Sequence, residues 1–283
     1  MGLKFDVFFS KRPSATRTGP AGHDHLKWVP TSSTLIYGTR DAILVDAQLT
    51  VEAGEGLRDW VLASEKNLTH IYVTHGHGDH FFGSSALLKE FPSAKVVAIP
   101  EVAARTRNEV TPERLHGIWN KLFPGQLPAE PPRVAEPLQE GVLKLEGEKL
   151  VAVRTGHTDT DDSTMLWVPS IGLAVVGDAV YANTHPFLGE SGSREARQGW
   201  IAALDQIAAL NPRWVVGGHS DPDKGHDPKA IQETKEYLEN FERLSEETST
   251  AVELYNRVLE LYPGRLNPGS AWAGAVQVKD ERG

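Results

Sequence analysis

The chain has 283 residues, 40% apolar and 24% charged, which suits a soluble globular protein with one large layered domain and excludes a disordered chain or a collagen. With no cysteine there is no disulfide framework, no thiolate nucleophile and no cysteine-ligated zinc, so any metal must be held by His, Asp or Glu. A balance of 29 basic against 38 acidic residues, net charge −9, argues against nucleic acid or an anionic membrane as partner.

Short β-rich runs come first, at residues 4–9, 34–37 and 42–45, the last two joined as a hairpin through 38–41. Residues 56–66 carry Leu57, Trp60, Val61 and Leu62 at helical spacing. A strand at 69–73 leads into a Gly- and His-rich loop, then a helix at 81–91 and a buried strand at 95–99. Residues 102–123 read as helix broken at Pro112, and the segment 101–137 is expected to form a cap over a site. Five prolines between 124 and 137 mark a surface connection. Strands follow at 142–145, 150–154, 164–168 and 173–176. An amphipathic helix at 195–210 presents Trp200, Leu204, Ile207 and Ala208 on one face, ahead of a strand at 214–216. Residues 229–262 are helical in two segments, so 229–283 reads as a C-terminal helical extension of a single domain spanning 1–283. Residues 251–262 and the apolar tail near Trp272 are available to a second copy, which leaves room for a homodimer. No run approaches the roughly 18 apolar residues of a membrane span, and the expectation is a soluble cytoplasmic protein acting on a small molecule.

The chemistry concentrates in Thr74-His75-Gly76-His77-Gly78-Asp79-His80, directly after an apolar strand. In an extended segment His75 and His77 project to one side, while the adjacent Asp79 and His80 point elsewhere, so one short loop can address two neighbouring metal positions. Nitrogen and carboxylate donors without sulfur suit Zn²⁺, with Fe or Mn as competitors. Three more residues, His157, Asp178 and His219, each follow an apolar strand and a glycine. His23-Asp24-His25 reads as a solvated loop rather than a further metal turn.

This constellation resembles the metallo-β-lactamase fold superfamily of metallohydrolases, whose hallmark is H-x-H-x-D-H followed by separate His, Asp and His ligands; the likeness runs from about residue 30 to 222. The resemblance implies an α/β fold, a four-layer αββα sandwich, with the site at one edge between the sheets. It implies two divalent ions, one held by His75, His77 and His157, the other by Asp79, His80 and His219, with Asp178 bridging both. One departure is visible: after Gly156-His157-Thr158 many members carry a glycine two residues on, where this chain has Asp159-Thr160-Asp161-Asp162. That leaves the loop's shape open, with His157 still the expected ligand.

Asp178 resembles the bridging residue of the glyoxalase II, ribonuclease Z and lactonase branches. Tyr181 matches the tyrosine that lactonases place over the substrate carbonyl. The implied function is a binuclear hydrolase in which a metal-bridging hydroxide cleaves a lactone or ester of a small molecule, with Asp79 orienting it and carrying the proton and Tyr181 stabilising the oxyanion. The alternatives within the same fold are a mononuclear iron persulfide dioxygenase and a glyoxalase II-like thioesterase. His185, Phe187, Trp28 and Trp119 are the candidates for the substrate pocket.

Overall fold

The computed structural model describes residues 2–16, 19 and 28–280; His23 and His25 lie outside them. A first sheet contains β1 (Lys4–Pro13), β2 (Trp28–Tyr37), β3 (Asp41–Val45), β4 (Asn67–Tyr72), β5 (Lys95–Ala98) and the two-residue β6 (Glu136–Pro137), side by side in that order. The first three strands pair antiparallel, and β3 to β6 run parallel. A second sheet contains β7 (Val142–Leu145), β8 (Glu148–Gly156), β9 (Ser163–Val168), β10 (Leu173–Gly177) and β11 (Trp214–Gly217), ordered β11-β10-β9-β8-β7. Only β10 and β11 are parallel there.

The alternation of side chains along a strand explains the layering. Leu173 and Val175 of β10 share one core with Leu143 of β7 and with Ile43, Leu44 and Ile71 of the first sheet. Ala174 and Val176 face the other way, into a second core with Trp200, Leu204, Tyr237 and Phe241. The first sheet is covered by α1 (Val51–Ala63), α2 (Ser84–Glu90) and α3 (Pro100–Glu109), whose Leu57, Val61, Leu87 and Val102 are buried in the first core. Next comes a broken helical segment: α4 (Pro112–Arg114), a wide turn at Leu115–Trp119 and α5 (Asn120–Leu122). The second sheet is covered by α6 (Arg194–Ala209), α7 (Lys229–Glu247), α8 (Ala251–Leu261) and α9 (Pro268–Asp280). The architecture is α/β, in the layer order helix, sheet, sheet, helix.

Helix starts follow their caps. The Thr50 hydroxyl accepts from Ala53 N–H and starts α1 at Val51, five residues before the spacing of its apolar residues becomes visible. Ser193 does the same for α6 through Ala196 N–H. The tail packs back onto the domain. Residues 268–280 form α9, which folds back on α8: Ala271, Ala275 and Val278 are buried, and the Trp272 ring stands edge-on to Tyr255 at 5.6 Å. Small residues allow that close approach, and they leave no apolar stripe for a sequence pattern to reveal. Among the described residues no helix is long and apolar enough to cross a membrane.

Candidate metal centre

Four strand ends meet at one edge of the two sheets. The loop after β4 carries His75 to His80. The parallel pair β10 and β11 ends with Gly177 opposite Gly217, which places Asp178 beside Gly218-His219. The buried donor atoms form three overlapping groups, each within 4.8 Å: His75, His80 and Asp178; His75, His77 and Asp159; Asp79, His80 and His219. Asp178 stands between rings, with Oδ1 3.4 Å from His80 Nε2 and Oδ2 3.2 Å from His219 Nε2. Asp79 Oδ2 is also 3.2 Å from His219 Nε2.

Each imidazole is anchored through the nitrogen facing away from the cluster. The Thr74 hydroxyl donates to Asp46 Oδ2 at 2.8 Å and therefore accepts from His75 Nδ1–H at 3.1 Å. His80 Nδ1–H donates to Asp46 Oδ2 at 2.8 Å, and His219 Nδ1–H to the Pro30 carbonyl at 2.7 Å. His77 is reversed: its Nε2–H donates to Glu190 Oε1 at 3.0 Å. These bonds select the tautomers that leave His75 Nε2, His77 Nδ1, His80 Nε2 and His219 Nε2 pointing inward, as metal-ligating histidines require. Four buried atoms facing one another, His75 Nε2, His80 Nε2, Asp159 Oδ2 and Asp178 Oδ1, have no hydrogen-bond partner. Buried polar atoms rarely stay unpaired, and a set of nitrogen and carboxylate donors left this way fits divalent cations.

The charges agree. Burial would push every ionised group here towards neutrality. For His77, Asp159 and Glu190 outweigh burial and hold the ring well above its usual pKa; for His80, Asp178, Asp46 and Asp79 do so. His219 is raised to about 9 in the same way by Asp178 and Asp79. His75 goes the other way, lowered by burial and by the neighbouring His80. Asp79 overcomes burial through Arg12, whose Nη2 lies 2.5 Å from Oδ2, and through His80 and His219, so its carboxyl is held well below the usual range. A field that holds positive charge on buried rings is the field that holds a metal cation. Asp46 thus holds two of the cluster histidines at once, His80 directly and His75 through Thr74. Asp46→Asn should weaken divalent metal binding about 10–100-fold, the usual effect of losing such a partner. Competition against a chelating dye measures it; unchanged affinity would show that Asp46 does not orient His80.

The structure brings His75, His77, Asp79, His80, Asp178 and His219 together and sets three expected residues elsewhere. His157 lies outside the cluster, with Nδ1 2.7 Å from Asp161 Oδ1 and Nε2 3.0 Å from Ser191 Oγ. Asp159, two residues on, is fully buried in the cluster, with Oδ2 3.0 Å from His77 Nδ1 and 3.5 Å from His75 Nε2. Tyr181 does not reach open space, because its ring is packed between Trp200 and His219 and its hydroxyl donates to Asp178 Oδ2 at 2.8 Å. The hydroxyl expected to face a substrate carbonyl is directed at a cluster carboxylate.

His185 is buried in the second layer, where its ring meets Tyr237 rather than substrate space. Burial, with Arg265 nearby, lowers its pKa to about 3. A histidine so depressed binds its proton only when unfolded, so below the ordinary value near 6.5 the fold loses stability as pH falls. Between pH 7 and 5 the wild type should lose about 2 kcal/mol that His185→Asn does not, measured by chemical denaturation at both pH values. Equal slopes would show that His185 titrates normally.

Phe187 and Trp119 do line the cavity beside the cluster, about 200 Å³ in volume, with Val29, Ile118 and Leu122; Arg12 and Asp79 form its polar end. Arg114, Ile118, Trp119 and Leu122, from the segment expected to form a cap, supply one wall of this cavity. Trp28 opens β2, and its side chain is outside the described part. Sequence reasoning missed Asp46, Glu190, Arg12 and Asp159. Only Asp46 carried a local signal, since it follows the apolar strand 42–45 as Asp178 follows β10.

Comparison with known proteins agrees with this geometry. The sequence profile described as the metallo-beta-lactamase superfamily matches residues 26–219, and the chain belongs to that superfamily of metal-dependent hydrolases. An atrochrysone carboxyl ACP thioesterase of Cryptosporiopsis sp. (strain 8999) is 26% identical over 198 residues, 66% of this chain and 48% of the relative. The chain thus spans about half of that relative's length. A metallo-beta-lactamase family protein of Thermus thermophilus superposes with a TM-score of 0.64 at 23% identity, covering 98% of this chain and 93% of that one. A metallo-beta-lactamase from Pontibacter korlensis gives 0.60 at 17% identity, covering 84% and 95%. At these identities the two structures speak for the fold alone.

Proposed function

We propose that the chain is a two-metal hydrolase that cleaves an ester or lactone of a small molecule. The observation that carries this reading is the convergence of four unpaired buried donors, His75 Nε2, His80 Nε2, Asp159 Oδ2 and Asp178 Oδ1, beside an apolar cavity. His75 and His77 would hold one cation, Asp79, His80 and His219 the other, and Asp178 would serve both. Bound divalent cations supply a water acidic enough to attack at neutral pH and polarise the substrate carbonyl. The chain's own residues do the rest. Trp119, Ile118, Leu122, Phe187 and Val29 offer an apolar wall for an acyl or lactone ring. Asp79 opens on the cavity, and Arg12 keeps it ionised. It is placed to take the proton from the attacking water and pass it to the leaving oxygen as the acyl C–O bond breaks, giving an acid and an alcohol.

A second reading, a thioester substrate with a thiol leaving group, is favoured by the name of the Cryptosporiopsis relative. Elemental analysis and a panel of lactones, aryl esters, acyl thioesters and β-lactams test both. The expected result is two divalent metals per chain and ester or lactone turnover lost to chelators and restored by metal. Preference for acyl thioesters moves the reading to the second. One iron per chain with oxygen consumption on a persulfide overturns it in favour of a dioxygenase.

A further inference from the structure

We infer that the third protein ligand beside His75 and His77 is the carboxylate of Asp159, in place of the imidazole of His157. The inference rests on the metal-dependent reading above and concerns which side chain completes one of its two positions. Asp159 is fully buried, and its two oxygens are used unequally. Oδ1 accepts the Thr158 hydroxyl at 2.9 Å, whereas Oδ2 faces His77 Nδ1 and His75 Nε2 and has no hydrogen-bond partner. A buried carboxylate oxygen left unpaired against two inward imidazole nitrogens is what a cation site looks like from the protein side.

The loop holds this arrangement from several directions. Thr158 N–H donates to the Thr160 carbonyl at 2.9 Å, Ser191 Oγ donates to the Thr158 carbonyl at 2.8 Å, and the Thr160 hydroxyl donates to Glu190 Oε2 at 2.6 Å. Glu190 in turn anchors His77, so one hydrogen-bonded chain positions both His77 and the Asp159 loop. His157 is committed elsewhere. Gly156 leaves β8 in a left-handed conformation (φ 84°), and the ring that follows has both nitrogens engaged, by Asp161 and Ser191. Binding a cation through His157 would break one of those bonds and leave Asp159 Oδ2 stranded. A second left-handed residue, Asp162 (φ 59°), closes the loop three residues after Asp159.

The consequence is chemical. The position formed by His75, His77 and Asp159 has two imidazoles and one carboxylate, a harder donor set than three imidazoles. Three carboxylates, Asp79, Asp159 and Asp178, then face the cations, and two divalent ions keep one net positive charge before any water ionises.

Zinc loading of wild type, Asp159→Asn and His157→Gln, followed by elemental analysis and dye competition, tests the assignment without reference to turnover. Asp159→Asn is expected to retain one zinc and to lose the other, with affinity at that position lowered at least about a hundredfold. His157→Gln is expected to keep both. Loss of one zinc in His157→Gln, with or without a loss in Asp159→Asn, overturns the assignment, as does retention of both by both variants. X-ray absorption on the wild-type zinc protein needs no variant and covers the case in which Asp159→Asn does not fold. Four imidazoles over two zincs, a mean of two each, support the inference; two and a half overturn it. A wild type holding a single metal overturns the two-metal reading separately. In that case release of the metal by Asp159→Asn but not by His157→Gln still supports the ligand assignment, and any other pattern overturns it.

Discussion

Replacing Asp178 with Asn should lower turnover by more than about a hundredfold while the fold persists, because both carboxylate oxygens face into the cluster. Oδ1 faces His80, and Oδ2 faces His219 and accepts the Tyr181 hydroxyl. An amide has the same shape, so packing in the surrounding second core should survive. It presents one N–H to a position that a cation must share, and it removes a full negative charge from between two rings whose pKa values Asp178 helps to raise. Losing a mere supporting partner of a ligand typically reduces metal affinity or activity by 10–100-fold, so a larger loss separates a residue that touches the cations from one that acts through another. Circular dichroism, metal content and turnover on one preparation make the measurement. Wild-type turnover at wild-type metal content would remove Asp178 from the proposed ligand set.

The contrast between Asp178 and Tyr181 marks how far the sequence could be read. His75, His77, Asp79 and His80 were legible because their geometry is local: a short loop after a buried strand leaves the backbone few ways to point them. Asp178 and His219 were legible through a repeated construction, an apolar strand followed by glycine and ligand, which parallel pairing of β10 and β11 then brings to one edge. At Gly156-His157 the same construction is followed by a different geometry: a left-handed glycine precedes the histidine, His157 bonds to Asp161 and Ser191, and Asp159 two residues later faces His77. Spacing placed Tyr181 near Asp178, but only packing against Trp200 and His219 decides that its hydroxyl faces the carboxylate and not the cavity. Glu190 and Arg12 are distant in sequence from the residues they hold, and nothing local announces them; Asp46 follows an apolar strand as Asp178 does, but its partner His80 is supplied by tertiary structure. The layers themselves were readable from alternating apolar strands. The exception is α9, whose alanines and glycines pack by closeness rather than by an apolar stripe.

The position next to His219 offers the sharpest steric test of the cluster. A methyl group on Gly218 would stand 2.1 Å from Asp178 Oδ1 and 2.8 Å from His80 Cε1, far inside van der Waals contact. Neither neighbour can yield easily. Asp178 is held through its other oxygen by Tyr181, and His80 is fixed from behind by Asp46. The backbone at Gly218 is itself tied, its N–H to the Gly177 carbonyl at 2.7 Å and its carbonyl to Ser32 N–H at 2.8 Å. Gly218→Ala therefore has to displace the carboxylate from between the rings. Overpacking of this kind costs about 1–3 kcal/mol, which a domain of ordinary stability survives. The metal positions should not survive it. We expect a folded protein with a lowered melting temperature, at most one zinc retained per chain, and turnover reduced at least as far as in Asp178→Asn. Gly199→Ala supplies the control: it lies inside α6, its added methyl meets nothing closer than 3.5 Å, and alanine is the better helix former, so zinc content should be unchanged and stability equal or higher. If Gly218→Ala instead kept both metals and full turnover, Asp178 would have room to move, and its carboxylate would not be the fixed element on which both positions depend.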